Sequence, residues 1–341
     1  GYFDWLSTPY QTTPLEWLNT RPWWTYLSFH DHPAFGFLLQ YLQFKLTGVS
    51  VLAMRFWPAL YGLISVYILY LIAKKLFASK IALLSAAFLA VSSLHIWVAR
   101  LALQESLVIL MILLSVYLFL KSQENKKYFY LFGLVFGLAL MAKLTSLVLL
   151  PAFFIYLLLR HRHIFREKEI YFSVLIILII CSPYIIYNIY LYKNFSHFDF
   201  QLSYLLKQNV EAWQIRPGRE EIAPNKIQAL KFIFSGLRNS VSFLWLAFSS
   251  LSFVYLTYLI FKSRIKQAPT NIFFLFLIIL SHIFFYIFIG SAARFLAILM
   301  PWLAISMAWF FLTCKIPLSG GYQARSKIKY GAYFLLFAFI F

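Results

Sequence analysis

The chain is expected to fold as an all-α, polytopic bundle of transmembrane helices, and three observations lead there. Hydrophobic residues make up 62% of the 341 and charged residues only 12%, with a mean hydropathy of +0.77. Soluble domains carry roughly 25% charged residues. The apolar runs lack the period-2 alternation of barrel strands, and many reach about 18 residues, close to what a helix needs to cross a bilayer. Lysine and arginine, finally, crowd the short segments between those runs.

In chain order, residues 1–54 are mixed. They hold the turn formers Thr12, Thr13 and Pro14, the aromatics Trp5, Trp17, Trp23 and Trp24, and an amphipathic stretch from Phe35 to Leu46. This reads as a first extracytoplasmic loop with interfacial helices, its Trp and Tyr at headgroup level. Apolar runs follow at 56–73, 81–99, 104–120, 128–142, 145–160, 170–190, 239–261, 272–289, 295–314 and 330–341. That makes about ten spans, although the pair around Lys143 can also be read as a hairpin that does not fully cross. The expected organisation is therefore a loop over 1–54, a helix bundle over 55–192, a second extracytoplasmic loop over 193–238 and C-terminal helices over 239–341. The chain opens at Gly1 without an initiator Met and stops at Phe341 within an apolar run. Both ends read as cut, and at least one further helix is expected upstream.

A formal charge of +19 could suggest a nucleic-acid partner, but its distribution argues otherwise. Alternating the spans puts 17 of the 30 Lys and Arg, Lys75, Lys121, Lys126 and Arg160 among them, into short loops on one face. By the positive-inside rule that face is cytoplasmic and the two long loops face outward. No nucleic-acid partner is expected; the charge meets membrane headgroups. Two cysteines, Cys181 and Cys314, make no disulfide framework. Neither a solenoid period nor inverted halves of the transporter kind are found.

Only eleven carboxylates exist, so each can be placed. Glu124, Glu167 and Glu169 fall among cytoplasmic Lys and Arg, and Glu16, Asp199, Glu211, Glu220 and Glu221 fall in long loops read as exposed. Asp4, Asp31 and Glu105 remain. Asp4 lies in an aromatic setting, Tyr2-Phe3-Asp4-Trp5-Leu6, where a carboxylate can have a raised pKa and act as a general base, or be an ordinary interfacial acid. Glu105 opens an apolar helix. It is either a first-turn acid favoured by the helix dipole or a ligand for a metal or a donor hydroxyl, with Arg100 one turn before it. His30, Asp31 and His32, followed by Pro33, suit a divalent metal, a polar turn, or an imidazole offered to an anionic headgroup. Lys143 and Arg294 sit at outer ends of spans, where they either snorkel or grip a phosphate. No nucleotide-binding glycine motif is present, so a nucleotide sugar is not the expected donor.

Taken in order, these segments resemble the GT-C superfamily of membrane glycosyltransferases, in the group containing protein O-mannosyltransferases and lipid A aminoarabinose transferases. The matching features are an acid in the first outer loop (Asp4) and His32-Pro33 leading into an amphipathic helix and Gly48. Arg100 with Glu105, Gly137-Leu138-Ala139 to Lys143, and Arg294-Phe295 to Pro301 complete them. The resemblance implies inverting transfer of a sugar from a polyprenyl-phosphate donor to an acceptor hydroxyl on a glycan, lipid or protein, at the extracytoplasmic face of a bacterial or archaeal plasma membrane. Asp4 would be the base. His32, Arg100, Glu105, Lys143 and Arg294 would bind donor sugar and phosphate, and a divalent cation at His30, His32 or Glu105 is left open. Trp5 stands where the family often has Glu, and Ala34 where it often has a second Pro. Two other readings are a transporter or flippase of polyprenyl-linked glycans, and an inactive member that binds lipid-linked sugar.

Overall fold

The computed structural model describes residues 22–29, 32–101, 103–206, 208, 226–265, 267–290 and 294–314, and every regular element among them is helical. The helices are α1 (Phe35–Thr47), α2 (Val51–Leu76), α3 (Ser79–Ala90), α4 (Ser93–Arg100), α5 (Glu105–Ser122), α6 (Tyr128–Ala142), α7 (Leu149–Arg160), α8 (Lys168–Phe195), α9 (Phe200–Leu205), α10 (Lys226–Ser240), α11 (Phe243–Lys262), α12 (Thr270–Ile289) and α13 (Met300–Thr313).

Local chemistry sets several boundaries. Ser50 starts α2 by accepting the Ala53 N–H at 3.1 Å, and Ser242 starts α11 by accepting the Trp245 N–H at 3.3 Å, as N-cap hydroxyls do. The expected interfacial helix is α1, which ends at Gly48 with φ 75°, a backbone state that only glycine adopts without strain. Inside the spans, hydroxyls of Ser65, Ser85 and Ser115 donate to carbonyls one turn back. Each of these three hydroxyls thereby has an acceptor in its apolar surround.

Six of these helical segments are long and apolar enough to cross a membrane, or seven if α3 and α4, bent by 59°, form one span. The protein is an integral membrane protein. The count is smaller than the roughly ten apolar runs for a physical reason. α6 has 15 residues and α7 has 12, short of the ~20 needed to span alone, and the two form a hairpin with Lys143 near its tip. The run at 330–341 lies outside the described residues.

The helices pack in two linked groups. α5 runs through the middle, against α2 and α6; α6 leans on α8, while α13 joins α3, α11 and α12. The α6–α8 contact is close because Gly133 and Gly137 face it. A methyl group added at Gly133 would stand 2.6 Å from the Ser173 carbonyl oxygen, and one at Gly137 would stand 3.1 Å from Ile180. Small residues four apart are the usual device for bringing membrane helices together. At the centre Phe119 stacks on Phe153 and on Phe274, centroids 4.2 and 5.9 Å apart, joining α5, α7 and α12.

The two ends of the bundle differ. At one end ion pairs join Lys75 to Glu124 and Lys126 to Glu167. There Arg160 donates to the carbonyls of Ile265 (2.9 Å) and Ala268 (2.6 Å), and Asn271 donates to Leu76 O at 2.9 Å. These bonds gather the lysine-rich loops on one face, as expected. At the other end helices stop early. α4 gives way to α5 across 101–104, α6 breaks at Lys143 into a 3₁₀ turn (Leu144–Val148), and α12 ends at Gly290 with φ 102°, ahead of a second 3₁₀ turn (Phe295–Leu299). Irregular backbone at such depth is tolerated where it is buried in protein or lines a cavity.

Candidate functional site

Those interrupted helices bring together residues far apart in the chain. Glu105, the first residue of α5, is buried, and so is Lys143 at the end of α6. The Lys143 ammonium donates to Glu105 Oε1 at 2.8 Å. Arg294, at the start of the second 3₁₀ turn, reaches the same oxygen with Nε at 3.7 Å while its side chain remains 47% exposed. Phe295 lies under both cations, with Lys143 Nζ 4.2 Å and the Arg294 guanidinium carbon 5.1 Å from its ring centroid. An aromatic face is a favourable neighbour for a cation held out of water.

Lys143 and Arg294 line a cavity of about 110 Å³ together with His32, Thr145, Gln201 and Gly290, among apolar walls that include Leu144, Phe200, Leu205, Phe285, Ile289 and Phe295. His32 enters from the segment before α1. Burial, with the Lys143 charge pushing the same way, Glu105 opposing and Arg294 adding to the fall, brings its imidazole down to about 4. In the free protein His32 is therefore neutral at neutral pH, a hydrogen-bonding group rather than a third cation.

Not every expected site residue joins this cluster. Asp4 and His30 lie outside the described residues, as does Asp31. Arg100, the last residue of α4, is exposed and forms no ion pair with a described residue. The partner of Glu105 is Lys143, from the next helix over. Lys143 does not snorkel to water; it turns inward. No three His, Cys, Asp or Glu side chains cluster among the described residues. Of the metal candidates, Glu105 and His32 both face Lys143 and Arg294, and two fixed positive charges repel a third. His32 and Glu105, the two described candidates, do not by themselves fit a divalent ion.

Two expectations need correction. Asp199 is not a solvated loop acid but fully buried, accepting the Tyr184 hydroxyl with Oδ1 and Oδ2 at 2.8 and 2.7 Å. Trp24 is not a headgroup-level anchor but buried against α8, stacked on Tyr190 with centroids 6.0 Å apart. In both cases the partners sit on α8. Tyr184 and Asn188, polar side chains one turn apart on an apolar helix, were the signal that a buried polar group waits opposite.

A helical bundle with broken helices around a cationic, apolar-walled cavity at one end can now be set beside known proteins. The family model for dolichyl-phosphate-mannose-protein mannosyltransferases matches residues 31–187, which include His32, Glu105 and Lys143. The chain has the fold of ArnT from Cupriavidus metallidurans, whose structure was solved bound to undecaprenyl phosphate. The TM-score is 0.63 at 13% identity, over 90% of this chain and 53% of that one. It also matches the oligosaccharyltransferase of Archaeoglobus fulgidus, solved in complex with Zn and sulfate, with a TM-score of 0.59 at 12% identity, over 92% of this chain and 43% of that one. An uncharacterized protein of Aquifex aeolicus (strain VF5) is 31% identical over 186 residues, 53% of this chain and 36% of its own length. The chain thus spans about half or less of the length of each of these three proteins. The fold is that of these two solved structures, and the family model accords with the resemblance to the GT-C superfamily read from the sequence motifs.

Proposed function

We propose that the protein transfers a sugar from a polyprenyl-phosphate donor to an acceptor hydroxyl on a glycan, lipid or protein, with inversion, at the extracytoplasmic face of the membrane. The observation that carries this reading is the cavity itself. Two cations, one of them half-exposed, meet a neutral imidazole inside apolar walls, at the end of the bundle opposite the lysine-rich loops. Such a setting suits an isoprenoid phosphate, a diester in the sugar donor and a monoester once the sugar has left, because the charge needs fixed cations and the chain needs apolar surface. The depth suits it too. α6 is about 22 Å long at 1.5 Å per residue, so its tip lies below the far surface of a ~30 Å hydrocarbon core. That ArnT was solved with undecaprenyl phosphate supports the same class of donor.

The residues then divide the work. Arg294, exposed and loosely paired, is the cation free to meet an incoming phosphate. Lys143 supplies a second charge whose direction Glu105 fixes at 2.8 Å. As the anomeric carbon–oxygen bond breaks, negative charge grows on the departing lipid phosphate, and these cations offset it without having to reorganise. His32 donates a hydrogen bond to the same group and takes up a proton if the phosphate raises its pKa. Asp4, by its place before the first interfacial helix, is proposed as the base that removes the acceptor proton. Glu105 serves the donor side through Lys143, and Arg100 falls to the rim.

The test uses the purified full chain with radiolabelled polyprenyl-phosphate sugar and candidate acceptors. Transfer is expected from wild type and its loss from Asp4→Asn. Transfer unchanged in Asp4→Asn removes Asp4 as the base. No transfer to any acceptor, together with lipid flipping in vesicles, overturns the glycosyltransferase reading.

A further inference from the structure

One wall of the cavity comes from the long loop after α8. There α9 lays Phe200, Gln201 and Leu205 against the space that Lys143 and Arg294 line. Asp199 sets the position of this short helix. Besides accepting the Tyr184 hydroxyl, its Oδ1 accepts the Leu202 N–H at 2.9 Å, and its own N–H donates to Asn188 Oδ1 at 2.8 Å. A buried carboxylate persists only where donors converge on it. α9 is thereby pinned to the side of α8.

Two residues further on, Gln201 Oε1 accepts the Leu144 N–H at 3.1 Å. Leu144 follows Lys143 and opens a 3₁₀ turn, so its amide has no partner within its own turn. The bond satisfies that amide. It also decides which way the carboxamide faces: the oxygen is held by a donor, so the Nε2 group is directed away from Leu144. No described residue accepts a hydrogen bond from Gln201 Nε2, and the side chain lines the cavity.

We propose that Gln201 is a binding residue of this cavity, its locked carboxamide giving an N–H donor to an oxygen of the lipid phosphate, and that Asp199 is the positioning residue that holds it there. The inference rests on the polyprenyl-phosphate reading above and adds a neutral donor to its two cations. Such a donor adds directionality without a further buried charge, and a site built to hydrogen-bond a ligand oxygen loses affinity when the donor is removed. The arrangement also ties the outer loop to the cation cluster, because one side chain touches the backbone beside Lys143 and the ligand space at once.

The experiment measures binding of undecaprenyl phosphate to the purified full chain in nanodiscs, with undecaprenol as the phosphate-free control. Gln201→Glu keeps an acceptor for Leu144 but replaces the donor with a negative charge, and is expected to weaken undecaprenyl phosphate binding about tenfold or more while leaving undecaprenol unchanged. Gln201→Met, similar in volume and uncharged, is expected to weaken it about fivefold. Asp199→Asn should cost roughly threefold and add almost nothing on top of Gln201→Glu, a non-additivity that a purely structural role would not produce. Wild-type affinity in both Gln201 variants would overturn the inference and leave the proposed function standing. Wild type that binds undecaprenyl phosphate no better than undecaprenol would overturn both.

Discussion

The two ends of the helix bundle carry the same kinds of charge and treat them differently. At the lysine-rich end the pairs Lys75–Glu124 and Lys126–Glu167 lie at the surface, with the Glu124 side chain 62% exposed and that of Lys126 44% exposed. At the other end Lys143 and Glu105 are 6% and 3% exposed, with an aromatic ring beneath the ammonium. Exposed pairs contribute about 0–1 kcal/mol and are screened by salt. A buried pair has lost its hydration and depends on its partner. Charge is thus kept out of water at one end and left in water at the other, a contrast that fits the binding site proposed above for the hidden end.

The comparison breaks most visibly at Glu105. Glu105→Gln leaves Lys143 buried without a counter-charge and is expected to cost roughly 3–5 kcal/mol, read as a fall in Tm in detergent, along with loss of transfer. Glu124→Gln at the opposite end should cost no more than about 0.5 kcal/mol. Replacing both partners, Glu105→Leu with Lys143→Met, should recover most of the stability and none of the activity. Equal Tm losses at the two ends would contradict the contrast.

Arg294→Ala sharpens it. This residue is half-exposed and 3.7 Å from Glu105, so its removal should leave Tm nearly unchanged while weakening undecaprenyl phosphate binding about tenfold, as loss of a charge-assisted contact does. A large Tm loss would mean that Arg294 is structural.

The smallest expected effect is on pH dependence. The His32 imidazole is at about 4 in the folded protein against 6.5 as the ordinary value. Between those limits the unfolded chain binds a proton that the folded one does not, so unfolding becomes easier as pH falls. The stability this position contributes is fully present above about 6.5 and declines toward about 4. His32→Gln should flatten the Tm profile in that window. Binding of undecaprenyl phosphate should run the other way, strengthening from pH 7 toward 5, because a bound phosphate favours the imidazolium.

How much of this was legible beforehand follows from what kind of fact each part is. The spans, the lysine-rich face and the interest of Glu105, Lys143 and Arg294 are local facts, set by hydropathy and by ionisable residues at helix ends. Pairing is not local. Glu105 had Arg100 as its near neighbour in sequence, but the chain turns between α4 and α5, and the ammonium that reaches Glu105 comes from 38 residues on. Asp199 read as a solvated loop acid because its hydrogen-bond partners, the donor Tyr184 and the acceptor Asn188, belong to a helix whose polar face shows only once α9 has folded back on it. Gln201 carried no signal at all. An uncharged side chain in a polar loop gains meaning only from the amide it meets.

The most direct measurement is a cryo-EM map of the full chain in nanodiscs with undecaprenyl phosphate. The phosphate is predicted within hydrogen-bond reach of Arg294 and beside Lys143, with the isoprenoid leaving along the apolar walls of the same cavity. Phosphate density at the Lys75–Lys126 end instead, with the cavity between Lys143 and Arg294 empty, would contradict the account.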